Sequence, residues 1–194
     1  QSATIPRLRV KPNKHFLALV VGHLRDVKNP FQAAKATRSL PASSRIQVHH
    51  YGRAHSPSWG SQGHRETAVN RRYHWHGEVN KRQLATLYQQ ANVMIISSKL
   101  EGGANVICEA ITAGLPILAS KVAGNVGLLG ENYEGYYALS DTAMLRKKLI
   151  KLERDRSFYS RLKAQCLKLQ KNYNPHRESL DWSALLRHLT ESSN

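Results

Sequence analysis

Short, unbroken apolar runs alternate along this chain with segments of helical length, and that alternation narrows the possible folds more than any other feature. Residues 16–21 read FLALVV and residues 93–97 read VMIIS. A run that is apolar on both sides of a strand suits a strand covered on both faces, as in a parallel sheet. Further strand-like runs occupy residues 46–51, 73–76, 115–119 and 136–139. Between them lie helical stretches. Asn29-Pro30 opens one that runs to Ser39, and residues 59–69 form a second. Asn80 caps a third that ends at Gln90, with Leu84, Leu87 and Tyr88 on one face. Residues 105–113 form a fourth, stopped by Gly114. Two helices follow, one from Asp141 with Leu145, Leu149 and Leu152 inward, the other with Phe158, Leu162, Cys166 and Leu169. These stripes are core rather than a cofactor site. The pattern specifies an α/β fold, a Rossmann-like parallel sheet with helices on both faces.

In such sheets ligands bind beyond the carboxyl ends of the strands, where helix N-termini present free N–H groups. Two loops are candidates. The first, 97–105, carries Glu101, Gly102, Gly103, Ala104 and Asn105, with Glu109 eight residues after Glu101. Paired glycines let backbone amides approach a ligand, and the helix dipole behind them favours phosphate. Carboxylates beside those amides are poor phosphate ligands but good acceptors for sugar hydroxyls. The second loop runs from Gly22 through His23 and Arg25 to Lys28, and its cations could reach a diphosphate from the opposite side.

The motifs form an ordered series: Gly22 and Lys28 with five residues between them, then Trp75-His76-Gly77-Glu78-Val79, then Leu87-Tyr88-x-x-Ala91-Asn92-Val93, then Glu101-x7-Glu109 with Ala110-x-x-Ala113-Gly114-x-Pro116. This series resembles the C-terminal domain of retaining glycosyltransferases of family 4, which have the GT-B fold. The likeness covers residues 16–173. It implies an EX7E motif in which Glu101 holds donor-sugar hydroxyls and Glu109 the ribose hydroxyls. It assigns the donor diphosphate to Lys28, sugar and phosphate contacts to the amides of residues 102–105, and the base to the neighbourhood of Gly77 and Val79. The family usually carries Arg directly after the first-strand glycine. Here that position is His23, which leaves open whether His23 or Arg25 completes the diphosphate clamp. No Asp-x-Asp is present, in keeping with a metal-free, cofactor-free site. Within the family, the stretches HLRDVKNPF, LPASSRI, LEGGANVICEA and GNVGLLGENYEGYY resemble the selenosugar synthases of selenoneine biosynthesis. That resemblance implies a UDP-sugar donor and selenophosphate as acceptor.

The resemblance also implies what lies around this domain. Enzymes of this kind bind the acceptor on an N-terminal domain and react in the cleft between the two. Residues 1–15 read as a linker or edge segment, and residues 174–194 as a helix crossing back to that N-terminal domain, with Trp182, Leu185, Leu186 and Leu189 on its apolar side. The chain opens on Gln1 with no signal-peptide core, so it is expected to be a catalytically incomplete piece of a longer enzyme.

Charge and composition weigh against other classes. The net charge of +16 attracts anions without saying which. Arg146, Lys147, Lys148, Lys151, Arg154 and Arg161 read as a solvated helix face. No nucleic-acid-binding motif accompanies the charge. Gly124-x-x-Gly127-x-x-Gly130 hints at a dinucleotide site, but a dehydrogenase needs GxGxxG directly after the first strand, and that is absent. Ten histidines, including His49-His50 and His74-x-His76, show no zinc spacing. Two cysteines, Cys108 and Cys166, make no disulfide framework, so a reducing cytoplasm is the expected compartment. No run of eighteen apolar residues exists to span a membrane.

Overall fold

A computed structural model describes residues 14–101 and 105–171. Six strands, β1 (Phe16–Val21), β2 (Ile46–Tyr51), β3 (Tyr73–Trp75), β4 (Val93–Ile96), β5 (Ile117–Ser120) and β6 (Tyr136–Tyr137), form one sheet in the order β3-β2-β1-β4-β5-β6. Every pairing is parallel. This is the doubly wound Rossmann arrangement, and strand order reverses between β1 and β4.

Each strand is followed by a helix: α1 (Gln32–Arg38), α2 (Pro57–Val69), α3 (Lys81–Gln90), α4 (Asn105–Thr112), α5 (Ala123–Leu129) and α6 (Thr142–Arg154), with α7 (Arg156–Gln170) last. Right-handed crossovers put α1 and α2 on one face, and α3, α4 and α5 on the other. The apolar runs explain the core. Ala18, Leu19, Ile46, Val48, Val93, Met94, Ile117 and Leu118 are fully enclosed. Small residues Ala33, Ala34 and Ala36 let α1 approach the sheet, and Leu145, Leu149 and Leu152 of α6 close over it. Asn80 forms a full capping box with Gln83, as its position before the periodic stretch implied.

Several boundaries differ from the sequence reading for local reasons. The helix expected from Asn29 is preceded by a 3-10 turn, Asp26–Lys28, and begins only at Gln32. Asn29 is left-handed (φ 44°) and stands before Pro30, where right-handed helix is disfavoured. Helix α2 starts two residues early because Ser56 caps it and Pro57 occupies the first turn. Strand β5 starts at Ile117, since the Leu115 N–H closes α4 on the Ala110 carbonyl. Helix α5 was not expected at all. Gly124 and Gly127 disfavour helix, yet Asn125 and Leu129 are buried and hold the segment helical until Gly130 (φ 82°) ends it.

Helix α7 lies across the amino ends of the strands. Tyr159 meets Phe16, the first residue of β1, edge to face. Cys166 contacts the Tyr133 hydroxyl, which also bonds the backbone of Ile117 at the start of β5. The opposite, carboxyl end of the sheet is thereby left to the candidate loops. Of the expected linker (1–15), residues 1–13 lie outside the described residues, as does the whole of the expected crossing helix (174–194).

Candidate functional site

The loops that follow β1 and β4 meet at the reversal point of the sheet, and two charged residues 73 positions apart join there. The Lys28 ammonium donates to Glu101 Oε1 at 2.6 Å. Their side chains are 21% and 6% exposed. The Ser98 hydroxyl donates to the same oxygen. Two bonds thus converge on Oε1, while Oε2 accepts none among the described residues. The loops are tied again by the Lys99 N–H to the Val27 carbonyl, at 2.8 Å, and by an outer Lys99–Asp26 pair at 2.7 Å. An internal ladder steadies the Glu101 loop from below. Ser120 Oγ donates to the Ser98 carbonyl at 2.6 Å, and Asn125 Nδ2 donates to the Ser120 carbonyl at 2.8 Å.

Close backbone approach builds the rest of the floor. At Gly52 (φ 148°) a side chain is excluded twice over, because an added Cβ would stand 2.1 Å from the Gly22 carbonyl oxygen. The Gly52 N–H bonds the Gly77 carbonyl at 2.7 Å, so the ends of β1, β2 and β3 interlock. On the other side, a Cβ on Gly124 would stand 1.9 Å from the Glu101 carbonyl oxygen. The unexpected helix α5 is therefore pressed against the candidate loop.

A buried strut supports Gly22. His50 Nε2 lies 2.8 Å from the Gly22 carbonyl, and Nδ1 lies 2.7 Å from the Tyr73 hydroxyl. A carbonyl only accepts, so Nε2 carries the proton and Tyr73 donates to Nδ1. Burial pushes His50 down to about 4, against the ordinary 6.5, so it is neutral near pH 7.

The other candidates divide by position. His23 is half-buried, and its Nδ1 accepts the Arg53 N–H at 3.2 Å. Burial lowers its pKa, helped by the nearby charges of Arg53, Arg25 and Lys28 and opposed by Glu78. His23 therefore presents a neutral Nε2–H, and the permanent positive charges on this side belong to Arg25, Lys28 and Arg53. Arg25 is exposed. Gly77 is left-handed (φ 73°), and Val79 precedes the Asn80 cap. Asn105 begins α4. Glu109 is exposed one turn further along α4, where the Tyr88 hydroxyl donates to its Oε2 at 2.8 Å. Burial, and then this bond to Glu109, raise the Tyr88 pKa. Gly102, Gly103 and Ala104 lie outside the described residues.

Ser98 has no role in the sequence analysis, and Gly124, His50 and Tyr88 enter it only in other connections, as a glycine series, a histidine pair and part of a helix motif. Tyr88 had been placed on an apolar face, and its hydroxyl was the overlooked signal. The histidines of β2 and β3 do gather. His49 Nδ1 and His76 Nε2 lie 3.0 Å apart, His76 stacks on Tyr51, and His74 reaches Gln47. Among the described residues, no group of three or more His, Cys, Asp or Glu is arranged to hold a metal ion. No described helix is long and apolar enough to cross a membrane. Chemically, the site offers cations on one wall and hydroxyl-accepting carboxylates on the other, which suits a ligand anionic at one end and rich in hydroxyls at the other.

Solved structures share this architecture. Anabaena Alr3699/HepE in complex with UDP superposes with a TM-score of 0.80 at 15% identity, over 90% of this chain and 49% of that one. The pneumococcal O-GlcNAc transferase GtfA in complex with UDP and GlcNAc gives 0.74 at 18%, over 91% and 36%. Sucrose-phosphate synthase from Thermosynechococcus elongatus gives 0.77 at 20%, over 94% and 47%. The chain thus spans about half or less of each of these proteins. No curated protein matches the sequence. The family model of the glycosyl transferases group 1, by contrast, matches residues 2–168. Its span takes in both candidate loops and the Lys28–Glu101 pair that joins them, and by it this chain belongs to the glycosyl transferases group 1 family.

Proposed function

We propose that this chain is the donor-binding domain of a retaining glycosyltransferase of the GT-B kind, and that its ligand is a UDP-sugar. The observation that carries the reading is the meeting of Lys28 and Glu101 across the reversal point of the sheet. A diphosphate laid over the carboxyl end of β1 would take Lys28 and Arg25. The sugar would then lie against Glu101, whose Oε2 accepts nothing among the described residues. The ribose would reach Glu109, which Tyr88 holds in place. The base would sit at the Gly77–Val79 turn. UDP bound to the structural relatives supports the choice of nucleotide.

When the bond between the anomeric carbon and the donor oxygen breaks, negative charge gathers on the departing diphosphate and positive charge on the sugar ring. Lys28 and Arg25 are placed for the first and Glu101 for the second. Fixed charges of this kind are usually the largest catalytic contribution. The chain's own residues supply them, with no step assigned to a metal. The acceptor belongs to a second, N-terminal domain of the enzyme. The stretches resembling selenosugar synthases favour selenophosphate as that acceptor, with the cytoplasm as the compartment.

Calorimetry on this chain tests the donor reading. UDP should bind, and Lys28→Ala should weaken UDP about tenfold or more, since a hydrogen bond to a charged group contributes about 1.5–3 kcal/mol. Absence of UDP binding by the folded chain would refute the proposal. Joined to its N-terminal domain, the enzyme should consume UDP-sugar in the presence of selenophosphate, whereas the chain alone should transfer nothing. Turnover with a sugar hydroxyl acceptor instead would discard selenophosphate and keep the donor site.

A further inference from the structure

The donor site accounts for few of this chain's cations. Residues 142–171, which span α6 and α7, hold ten Lys and Arg against two acids, a net +8 of the chain's +16. Helix α6 descends from the start of α1, where Thr142 accepts from Gln32, to the amino ends of the strands, and α7 lies there, away from the donor loops. Arg45 N–H and Glu153, and Arg154 and Ser43, meet just before β2, while α7 crosses below β1 and β5.

The outward face of α7 has a definite order. Phe158, Leu162 and Cys166 point into the core. Opposite them, exposed Ser160, Ala164 and Leu167 follow one another at helical spacing, with Leu167 44% exposed, and exposed Lys171 ends the line at the C-cap. Exposed cations flank this line, Arg156 and Lys163 on one side and Arg161 and Lys168 on the other. No ion pair among the described residues engages Lys163 or Lys168. Where α6 meets α7, Lys148, Lys151 and Arg161 crowd within 5.8 Å of the Phe158 ring centre, with Glu134 the acid that pairs with Arg161. A line of small and apolar residues between two rows of cations is the pattern of a helix lying on a charged interface. The apolar line enters the headgroup boundary while long cationic side chains reach out to phosphates. A duplex would instead spread cations along the whole centre of the face, where only the terminal Lys171 stands, and single strands would want exposed aromatic rings to stack on.

We propose that the outward face of α7, with the adjoining end of α6, docks on an anionic lipid surface and leaves the donor cleft open at the far end of the sheet. Each cation near such a surface contributes roughly fivefold in affinity. Co-sedimentation of the chain with phosphatidylcholine vesicles, with and without phosphatidylglycerol at about 40%, tests this. Binding should require phosphatidylglycerol and fall as salt rises. The double change Lys163→Ala and Lys168→Ala should weaken binding about thirtyfold. Leu167→Ser leaves every charge in place and should still weaken it severalfold. Thermal unfolding and UDP binding should be unchanged in all variants, showing that the fold and donor site are intact. Three results would each overturn the proposal: no binding to phosphatidylglycerol vesicles at low salt, undiminished binding by the double variant, or a Leu167→Ser variant that binds as well as the parent while short duplex DNA competes fully.

Discussion

Replacing Gly124 by alanine separates local helix preference from the architecture of the site. Inside an ordinary exposed helix, Ala for Gly stabilises by about 1 kcal/mol. Gly124 is different, because its Cβ would stand 1.9 Å from the Glu101 carbonyl oxygen and 2.9 Å from Glu101 Cβ. Both atoms belong to the loop, and the first is backbone, so the loop must retreat by about 1 Å or more for a tolerable contact. That retreat is enough to break a 2.6 Å bond between Lys28 and Glu101. Overpacking of this kind costs about 1–3 kcal/mol, so the net change in stability lies near 0–2 kcal/mol and Tm falls by no more than about 8 °C. The binding effect should be larger and selective. UDP affinity should stay within a fewfold, while the extra affinity of UDP-sugar over UDP should drop about tenfold or more, the range for a lost bond to a charged group. Scanning calorimetry and titration calorimetry on the same preparation read both quantities. A variant with raised Tm and an unchanged gap between UDP-sugar and UDP would refute the reasoning, since Gly124 would then be an ordinary helical glycine.

Other consequences can be measured directly. Glu109→Ala should weaken UDP by about 1–3 kcal/mol, and Tyr88→Phe, which leaves the carboxylate unsteadied, by about 0.5–1.5 kcal/mol in titration calorimetry; unchanged affinity in the first variant removes Glu109 from the site. Glu101→Gln should leave UDP affinity nearly intact and depress transfer in the full enzyme, because it keeps shape but loses charge where positive charge develops; undiminished turnover would leave Glu101 as a helix-terminal acid only. Stability should also depend on pH through His50. Its folded-state pKa of about 4 lies below the ordinary 6.5, so its contribution is complete above pH 6.5 and is lost as pH falls from there toward 4. That contribution is about 3 kcal/mol, with His49, also lowered to about 4, acting in the same direction. Urea unfolding at pH 7.5 and 4.5 checks it, and equal midpoints would contradict the buried, neutral strut.

The central strands β1, β4 and β5 were legible in the sequence because each is a short apolar run between turn residues, and β2 because its inward positions alternate. The run at 16–21 and β1 coincide residue for residue, as do 46–51 and β2. Helix α5 was illegible because its own residues argue for a turn. Two glycines among its seven residues suppress helix, and only packing of Asn125 and Leu129 overrides them. In the site, Lys28 and Glu101 came from motif resemblance, and only the tertiary fold could show them touching. The His50 strut could not be read at all. Its partners, Gly22 and Tyr73, lie 28 and 23 positions away, and only the β1–β2–β3 register brings them together.

The departure at His23 gains a physical meaning from this geometry. A diphosphate entering the proposed site meets the Glu101 carboxylate already in place, so the cations must balance two anions rather than one. Lys28 is shared, since its ammonium already donates to Glu101 Oε1. His23, held neutral by burial and by Arg53, Arg25 and Lys28 around it, can donate a hydrogen bond to phosphate but adds no charge. In the proposed site the second permanent charge falls to Arg25, which stands exposed two residues further along the same loop, with Arg53 a third on this side. Exposure lets that guanidinium swing to the phosphate, whereas an arginine in the half-buried position of His23 would face the same three cations at closer range. On that proposal the loop carries its fixed charge two residues beyond the position of the family's arginine, with a neutral donor beneath it. Such a clamp would hold a diphosphate through Lys28 and Arg25 without setting four positive charges side by side.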